Sequence, residues 1–600
     1  MRLHFFKTLV LSLCITTIAS AQSYIKYDIS FNNAVHHEAE IKVSFTKIKK
    51  GKFSFRMSRT SPGRYAIHEF AKNVYNVKAT DSKGKSLKIT RPNPYQWDVD
   101  NHDGTVIVTY TLFANRGGGT YAQIDETHAH LNIPATFMFA PSLKETPIQV
   151  TFNPRKDLKI ATQLKPMFDN TYYAPNMQYF MDSPTELSNH LVRSFDVESD
   201  GEKLKVKLAL HNIGTEAEAD QYFESVKKVV LQQMAVFGEL PKFDYGEYVF
   251  LACYVPNASG DGMEHRNSTV VTSTRALANG GMTGNIGTVS HEFFHAWNVE
   301  RIRPQSLEPF SFKEANMSGE LWFPEGFTSY YTNLFLARAG LMSPESYINS
   351  LNGTFNYVWN SPGRSFFNPI EMSYQAPFVD AATSVDPVNR GNTFISYYSY
   401  GSALGLALDL ALRNEKGNLT LDGYMKSVWK SYGKKEKPYT VANLNDVLNK
   451  YAGKLFGNYF FSNFIYKSAM PNYQALFKKV GVVLKQDSEK VFFGASTSNG
   501  VVRNNPQIGS PAYKAGLNTK DKIVAIDNHV ISDRNSVNKI LSNYKIGDAI
   551  TIQFSRYNQL RTVKTTLIKD PRYTIMTYEK AGLELTPEML KNRKAWLDKK

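Results

Sequence analysis

The sequence predicts a multidomain protein with an N-terminal all-β sandwich, a central α+β domain and a β-rich C-terminal domain. Its 600 residues exceed what one hydrophobic core uses, since domains commonly hold about 100–200 residues. β-prone runs fill residues 22–200, strands are followed by helices over 205–478, and strands return over 483–570. Strands grouped before helices in the central segment favour one α+β unit.

The first 21 residues have the features of a signal peptide. Arg2 and Lys7 give a short positive region before the apolar run 9–19, and Ala19-Ser-Ala21 matches the small-residue cleavage pattern. About eleven apolar residues are too few for a membrane span, which needs about 20. We therefore expect the mature chain to begin near Gln22 and to be exported, to a periplasm or outside the cell.

Removal of the leader leaves one cysteine. A lipoprotein cut at Cys14 would need a small residue where Leu13 stands, so Cys253 is the cysteine that remains. A single cysteine forms no internal disulfide. Because Cys253 lies in an apolar, strand-like run, 248–254, we expect a buried structural thiol.

Residues 22–200 consist of short strand-like runs. The run 105–113, Thr-Val-Ile-Val-Thr-Tyr-Thr-Leu-Phe, is strongly β-prone, and Asp81-Ser-Lys-Gly84 is a turn between two such runs. No helical period is convincing there. Repeated short strands with turn signals favour a sandwich.

The central segment begins its helical part at Thr215. Thr215-Glu-Ala-Glu218 fits a capping box, and an apolar stripe follows at helical spacing. The run 402–411 is apolar but only ten residues long and contains Asp409, which favours a buried core helix over a membrane span. We expect no transmembrane segment once the leader is removed.

The formal net charge is +16, or +14 without Arg2 and Lys7. The basic residues are spread along the chain, and neither a basic arm nor a nucleic-acid motif is present. The default interpretation is a solvated surface, although an anionic envelope or an acidic substrate could exploit the charge. We expect no nucleic-acid partner.

The pattern His291-Glu-Phe-Phe-His295 carries the functional argument. Histidines at i and i+4 lie on one helix face, so both imidazoles can reach one metal ion. Glu292, rotated by about 100° on the helix, would lie beside the metal. There it can act as general base towards a zinc-bound water.

A third ligand is available in Leu321-Trp-Phe-Pro-Glu-Gly326. Glu325 lies near the start of a predicted helix, with Pro324 in its first turn. Three protein ligands and one open position are typical of catalytic zinc rather than structural zinc. The alternative is a carboxylate favoured only by the helix dipole.

These motifs, with Ala296-Trp-Asn-Val-Glu-Arg-Ile-Arg-Pro304, resemble the glycyl aminopeptidase family of zinc metallopeptidases. The family belongs to the gluzincins, so the resemblance implies a thermolysin-like α+β peptidase domain over 205–478 and one Zn²⁺ per chain. Ser61-Pro-Gly-Arg-Tyr65 and His128-Ala-His-Leu-Asn132 resemble the family's N-terminal region.

Two further sites are implied by the resemblance. Gly262-Met263-Glu264-His265 is similar to the edge-strand motif that binds the substrate's N-terminus, with Glu264 pairing the α-amine, although His265 stands where relatives carry Asn. Tyr397-Tyr-Ser-Tyr-Gly401 resembles a segment whose Tyr donates to the oxyanion. Counted from Gly401, Tyr398 matches, with packing as its alternative role.

The segment 483–570 resembles a PDZ domain of the bacterial protease-associated kind. Gly509-Ser-Pro-Ala512, Ala515-Gly-Leu517 and Asp521-Lys-Ile-Val524 carry this resemblance. PDZ domains bind extended peptides by strand addition, so a C-terminal peptide is a possible ligand, and a structural appendage is the alternative. Residues 571–600 form a charged C-terminal tail with some helical character.

Together these observations predict a zinc-dependent aminopeptidase, and the family resemblance implies that it hydrolyses small N-terminal residues, Gly or Ala, from peptides. Two alternatives stay open. One is a zinc endopeptidase of the same fold, in which Glu264 binds no amine. The other is a catalytically silent PDZ peptide-binding protein, which the intact His291, Glu292, His295 and Glu325 disfavour.

Overall fold

The computed structural model describes residues 23–155, 157–379, 388–486, 489–532 and 536–600. The predicted signal peptide, 1–21, lies outside the described residues. Three large hydrophobic cores correspond to an N-terminal, a central and a C-terminal domain. The predicted multidomain architecture, with β-rich domains on either side of an α+β domain, is confirmed.

The N-terminal domain is built from three sheets around one core. Buried and exposed side chains alternate along its strands, as in Ile25–Ser30, which leaves one face of each sheet apolar. The seven-stranded sheet contains, in order, Lys165–Phe168, Thr171–Ala174, Ile148–Asn153, Ile25–Ser30, Glu38–Phe45, Val106–Phe113 and Val74–Thr80. The four-stranded sheet contains Lys159–Thr162, Thr185–Ser188, Ala129–Leu131 and Gln123–Ile124. The three-stranded sheet contains Phe53–Arg56, Gln96–Val99 and Ile89–Asn93. Two short helices, Ile133–Thr136 and Met177–Met181, join these strands.

The central domain combines a five-stranded sheet with a layer of helices. The sheet contains, in order, Leu191–Ser199, Glu202–Asn212, Glu247–Tyr254, Ser268–Ser273 and Asp261–His265. The last of these, hereafter the edge strand, is antiparallel to its neighbour. The helices are Glu216–Phe237, Gly281–Gly284, Ile286–Phe294, Pro324–Arg338, Pro344–Trp359, Pro369–Tyr374, Ala376–Val379, Arg390–Thr393, Tyr397–Leu412, Leu421–Ser431, Val441–Ala452, Lys454–Phe460 and Tyr473–Lys478. The predicted capping box is present, with Thr215 and Glu218 bonding each other's backbone N–H.

Two glycines set the distance between the helices Pro324–Arg338 and Tyr397–Leu412. A Cβ atom on Gly401 would lie 1.8 Å from the backbone oxygen of Trp322, and one on Gly326 would lie 2.3 Å from the Cα of Gly401. Only glycine permits so close an approach. The contact brings the N-terminal turns of both helices, with Glu325 and Tyr398, to the same place.

The predicted core helix at 402–411 is confirmed. It lies within the helix Tyr397–Leu412, and Asp409 is fully buried, where it accepts hydrogen bonds from Tyr330 and Arg413. Among the described residues, no helix combines the length and apolar character that crossing a membrane requires.

The C-terminal domain has its own small core between strands and two short helices. Its main sheet contains Thr497–Ser498, Val501–Val502, Lys522–Ile526, Ala549–Arg556 and Gln559–Thr566, with His529–Val530 paired to Lys522–Ile526. Val491–Phe492 pairs with Ile568–Lys569. The helices are Pro511–Lys514 and Val537–Leu541.

The segment that follows the C-terminal domain returns to the central domain. Val482–Gln486, before the domain, pairs with Tyr573–Thr577, after it. The helix Pro587–Leu597 then packs Trp596 into the central core, where its indole N–H donates to the Tyr330 hydroxyl over 2.9 Å. The predicted charged tail is therefore a folded part of the molecule.

Candidate metal centre

The helix Ile286–Phe294 presents two opposite faces. Val289, Phe293 and Phe294 are fully buried in the central core. His291 lies on the other face, and His295 follows at the helix end. An apolar face at helical spacing fixes the rotation of the helix and so directs both imidazoles into a cleft beside the edge strand.

Each imidazole is oriented through its Nδ1 atom. The Nδ1 of His291 lies 3.0 Å from the Thr332 hydroxyl oxygen, and the Nδ1 of His295 lies 2.6 Å from the backbone oxygen of Asn298. The Thr332 hydroxyl itself donates to Thr328, so it can accept from His291. With Nδ1 engaged on both rings, each Nε2 faces the cleft and is the atom left for a metal ion.

Glu325 meets both imidazoles from the first turn of the helix Pro324–Arg338. Its Oε2 atom lies 3.8 Å from the Nε2 of His291 and 3.3 Å from the Nε2 of His295. Its other oxygen, Oε1, accepts a hydrogen bond of 2.7 Å from the Tyr65 hydroxyl. Tyr65 therefore orients the carboxylate from the N-terminal domain, at a point 260 residues earlier in the chain.

These three side chains fit a zinc ion. One donor atom from each lies within 4.8 Å of the others. Zinc with N and O ligands at about 2.0–2.2 Å holds them about 3.3–3.6 Å apart, close to the observed separations. The charge also fits. Burial alone would lower the pKa of His295, but the carboxylates of Glu325 and Glu264 outweigh it and raise that pKa to about 10. The cluster is thus rich in negative charge and suits a cation.

Glu292 lies beside this triad and points towards the edge strand. It is 6% exposed, and burial, together with the carboxylates of Glu264 and Glu325, raises its pKa well above the usual range. A Cβ atom on Gly262 would lie 2.0 Å from the Oε1 of Glu292. Gly262 therefore makes room for the Glu292 carboxylate, and a side chain there would displace it.

The edge strand contributes Glu264 to the cleft but not the side chain of Met263. Glu264 is 6% exposed, burial raises its pKa, and it lies close to Glu292 and His295. Met263 points to the other face of the strand and packs with Leu251 in a small apolar cluster.

Glu264 differs in its charge pairing from two neighbours on the edge strand, Asp261 and His265. Asp261 forms an ion pair with Arg64, and the Nδ1 of His265 lies 2.8 Å from Asp182. Within the described parts of the chain, Glu264 forms no ion pair with a lysine or an arginine. It is therefore a buried carboxylate that can pair with a cation brought by a ligand.

Tyr398 lines the same cleft as His291 and Glu292. Its ring stacks on that of His291 with centroids 6.0 Å apart and planes at 29°. Tyr397 and Tyr400 are fully buried in the central core instead. Of the three tyrosines in this segment, Tyr398 is the one that lines the cleft.

Sequence reasoning missed the part of the N-terminal domain in this site. The segment Ser61-Pro-Gly-Arg-Tyr65, which carries only a family resemblance in the sequence, supplies Tyr65 to Glu325 and Arg64 to Asp261. Gly63, at φ 73°, lies against Glu264: a Cβ atom there would be 2.8 Å from the Glu264 Oε2. A positive φ and the close contact both require glycine.

The glycine run 117–119, which suggests a flexible loop, is packed against the edge strand. The backbone oxygen of Gly117 accepts from the N–H and the hydroxyl of Ser259, each over 2.6 Å. A Cβ atom on Gly119 would lie 2.5 Å from the Cβ of Met263. The glycines serve close packing, which a sequence cannot distinguish from flexibility.

Asn298, which follows the two histidines, joins the two ligand-bearing helices. Its backbone oxygen accepts from His295, and its side-chain amide donates to the carbonyls of Phe323 and Pro324 and to Thr328. These bonds hold the start of the helix that carries Glu325 against the end of the helix that carries His291.

We expect Tyr65→Phe to weaken zinc binding or kcat/KM by about 10- to 100-fold, the usual cost of losing a partner of a metal ligand. The change removes only the hydroxyl that orients Glu325. Chelator competition measures zinc affinity, and steady-state kinetics measure kcat/KM. Tyr27→Phe is the matched control, because that hydroxyl bonds Met138 inside the N-terminal domain, 2.9 Å away. Equal zinc affinity and kcat/KM in both variants would contradict the assigned role of Tyr65.

Comparisons with known proteins give a consistent result. Three family models match: the peptidase M61 N-terminal domain over residues 26–189, the M61 glycyl aminopeptidase over 284–404 and the PDZ domain over 468–567. The chain is similar to the crystal structure of an aminopeptidase N family protein from Idiomarina loihiensis, with 24% identity over 96% of this chain and 100% of that one and a TM-score of 0.81, which shows the fold.

Two more distant similarities are local or weak. Yeast LTA4 hydrolase in complex with bestatin aligns at 14% identity over 74% of this chain and 67% of that one, with a TM-score of 0.43. The serine protease Do-like HtrB of Bacillus subtilis (strain 168) is 33% identical over 85 residues, 14% of this chain. The chain spans only 19% of the length of that curated relative.

Proposed function

We propose that this chain, which belongs to the M61 glycyl aminopeptidase family and is therefore a metallopeptidase, is a zinc-dependent aminopeptidase that removes N-terminal Gly or Ala from peptides. The exopeptidase proposal rests on the environment of Glu264. A buried carboxylate lies in the same cleft as His295 and Glu292, and within the described parts of the chain it forms no ion pair with a lysine or an arginine. The charged α-amine of a peptide would supply the missing cation.

His291, His295 and Glu325 are the residues that would hold the metal. Zinc, when bound, polarises the scissile carbonyl and makes water a better nucleophile. Glu292 takes a proton from the attacking water and passes it to the leaving amine. Its burial supports this role, because a raised pKa makes a carboxylate a stronger base.

Tyr398 is the proposed donor to the developing oxyanion. Its ring packs on that of His291, which brings the phenol into the cleft lined by the metal ligands. A phenol donates a hydrogen bond to negative charge in the transition state without a large rearrangement. Arg64 and Asp261 neutralise each other, so the cleft keeps Glu264 as its amine-binding carboxylate.

The proposed preference for Gly or Ala is supported by the family resemblance and by the crowding around Glu264. Gly63 and Gly262 form the walls next to the two catalytic-site carboxylates, and a Cβ atom on either would lie 2.8 Å or less from a carboxylate oxygen. A substrate bound by its amine at Glu264 would therefore have little room for a long first side chain.

The C-terminal domain is proposed to bind a peptide C-terminus. A groove lies between the segment 492–495 and the helix Val537–Leu541 and is lined by Phe493, Gly494 and Leu541. An extended peptide can add a strand beside such a segment.

Export is the third part of the proposal. The predicted leader supports cleavage near Gln22 and a periplasmic or secreted location. N-terminal sequencing of the mature protein is expected to start near Gln22, and retention of Met1 would contradict export by this route.

We expect Glu264→Ala to lower kcat/KM for peptides with a free α-amine by about 10- to 100-fold. A charge-assisted hydrogen bond contributes about 1.5–3 kcal/mol, and each factor of ten in kcat/KM corresponds to about 1.4 kcal/mol. Glu264→Gln, which keeps the shape and removes the charge, is the matched variant and should show a similar loss.

N-acetylated Gly and Ala peptides are the matched substrates for this test. They should be poor substrates of the wild type, and the two Glu264 variants should barely change their residual cleavage. Equal cleavage of blocked and free peptides would remove the aminopeptidase proposal and leave an endopeptidase of the same family.

A further inference from the structure

A second cluster of metal-ligating side chains lies between the N-terminal and central domains. It contains His128, Glu186, His211 and Cys253, whose donor atoms all lie within 4.8 Å of one another. The four residues are 1%, 1%, 8% and 2% exposed, respectively. None of them lines the cleft of His291 and Glu292.

Two strand pairs bring the cluster together. In the central sheet, His211 is directly opposite Cys253 on neighbouring parallel strands. In the N-terminal domain, Glu186 is opposite His130, and His128 comes just before that strand. Each domain thus contributes two ligands. No spacing motif in the sequence links them, because the four residues come from four separate segments.

The distances suit a tetrahedral ion. The Nδ1 of His211 lies 3.4 Å from the Sγ of Cys253 and 3.6 Å from the Oε1 of Glu186. A zinc ion with N and O ligands at about 2.0–2.1 Å and a sulfur ligand at about 2.3 Å separates its ligands by about 3.3–3.6 Å. The rings of His128 and His211 lie with their centroids 5.0 Å apart.

Two buried atoms in the cluster have no hydrogen-bond partner among the residues that the structure describes. They are the Nε2 of His128 and the Oε1 of Glu186. Buried polar atoms are nearly always paired, so two such atoms in one cluster need an explanation. A bound metal ion would satisfy both at once.

In His128 and Glu186, the side-chain atom that would not bind the metal contacts another side chain, as is usual for metal ligands. The Nδ1 of His128 lies 3.2 Å from the Asp125 carboxylate, which leaves Nε2 for a metal. The Oε2 of Glu186 lies 3.2 Å from the Nδ1 of His130, which leaves Oε1. Carboxylate–histidine contacts of this kind orient ligands in zinc sites.

We propose that His128, Glu186, His211 and Cys253 form a closed, four-coordinate zinc site that joins the N-terminal domain to the central domain. Four protein ligands leave no open position, which is the arrangement of structural zinc. One thiolate, two imidazoles and one carboxylate suit this borderline-soft ion. The site is independent of the proposed aminopeptidase activity and stands or fails separately from it.

The proposed zinc site would affect the catalytic cleft only by fixing the position of the N-terminal domain relative to the central domain. The N-terminal domain supplies Tyr65 to Glu325 and Arg64 to Asp261, so its position against the central sheet matters for both contacts. A zinc ion at the domain boundary would hold that position. The chain would then bind two zinc ions rather than the one that the sequence predicts.

Metal content and cobalt spectroscopy test the proposal on the full chain. Elemental analysis should find two zinc ions per chain in the wild type and one in His295→Ala, and Cys253→Ser, which keeps three of the four ligands of its site, should hold fewer than two. Cobalt(II) replaces zinc with the same ligands, and a thiolate ligand adds a near-ultraviolet charge-transfer band. Since the catalytic ligands include no sulfur, this band reports on the Cys253 site alone. It should persist in His295→Ala and vanish in Cys253→Ser.

Two further variants keep the test decisive if Cys253→Ser does not fold. Glu186→Gln preserves the shape and should reduce the zinc content towards one. His190→Gln changes a neighbouring buried histidine, whose Nδ1 lies 3.1 Å from the Ser188 hydroxyl, and should keep two. One zinc in the wild type with no cobalt–thiolate band would overturn the proposal, and a second equivalent of copper instead of zinc would overturn the zinc assignment.

Discussion

Glu292→Gln is expected to keep the catalytic-site metal and to lose about 10²- to 10⁴-fold in kcat, the usual contribution of a general acid–base group. The amide preserves the size of the side chain beside Gly262 but cannot accept the proton of the attacking water. His291, His295 and Glu325 are unchanged, so metal analysis should find as much zinc as in the wild type. The measurement is kcat on a Gly- or Ala-peptide together with the zinc content.

Glu264→Gln is the comparison that isolates this role. It removes a buried carboxylate from the same cleft, yet it should affect free-amine substrates selectively, whereas Glu292→Gln should slow blocked and free peptides alike. Wild-type turnover in Glu292→Gln would remove Glu292 from the mechanism, whatever the metal content.

His295→Ala is expected to lose one equivalent of zinc and to reduce activity to background. Only two ligands would remain, and three buried carboxylates, those of Glu325, Glu264 and Glu292, would lose both the cation and the imidazole that balance them. The thermal unfolding temperature should therefore fall as well. Zinc content, kcat/KM and the unfolding temperature are the measurements.

Chelation and zinc add-back provide the control for His295→Ala. Chelator-treated wild type should regain activity when zinc is restored, while the variant should not, because its ligand set is incomplete. A variant that bound zinc in full and turned over at the wild-type rate would show that His295 is not a ligand.

The candidate metal centre was predictable because most of the sequence signal for it is local. Two histidines four residues apart must share a helix face, and Glu325 begins the next helix in an apolar motif. The capping box at Thr215 and the core helix around Asp409 were predictable for the same reason. In each case the sequence signal itself spans only one or two helical turns.

The contacts between domains were not predictable in this way. Tyr65 bonds Glu325 across 260 residues, and the cluster around Cys253 draws on four segments of two domains. The apolar strand around Cys253 predicts that this residue is buried, but it does not predict which side chains surround it. Met263, assigned to substrate binding with Gly262 and Glu264, points away from the cleft because neighbouring residues of a strand face opposite sides.

The return of the chain to the central domain makes the C-terminal domain an insertion rather than an appendage. The chain leaves after Val482–Gln486 and re-enters through Tyr573–Thr577, its partner strand, before Trp596 enters the central core. During synthesis, the packing of the central core therefore cannot be completed until the whole inserted domain has left the ribosome. The peptidase core is then complete only after the PDZ domain has been made, so a chain interrupted within that domain would lack both Tyr573–Thr577 and Trp596.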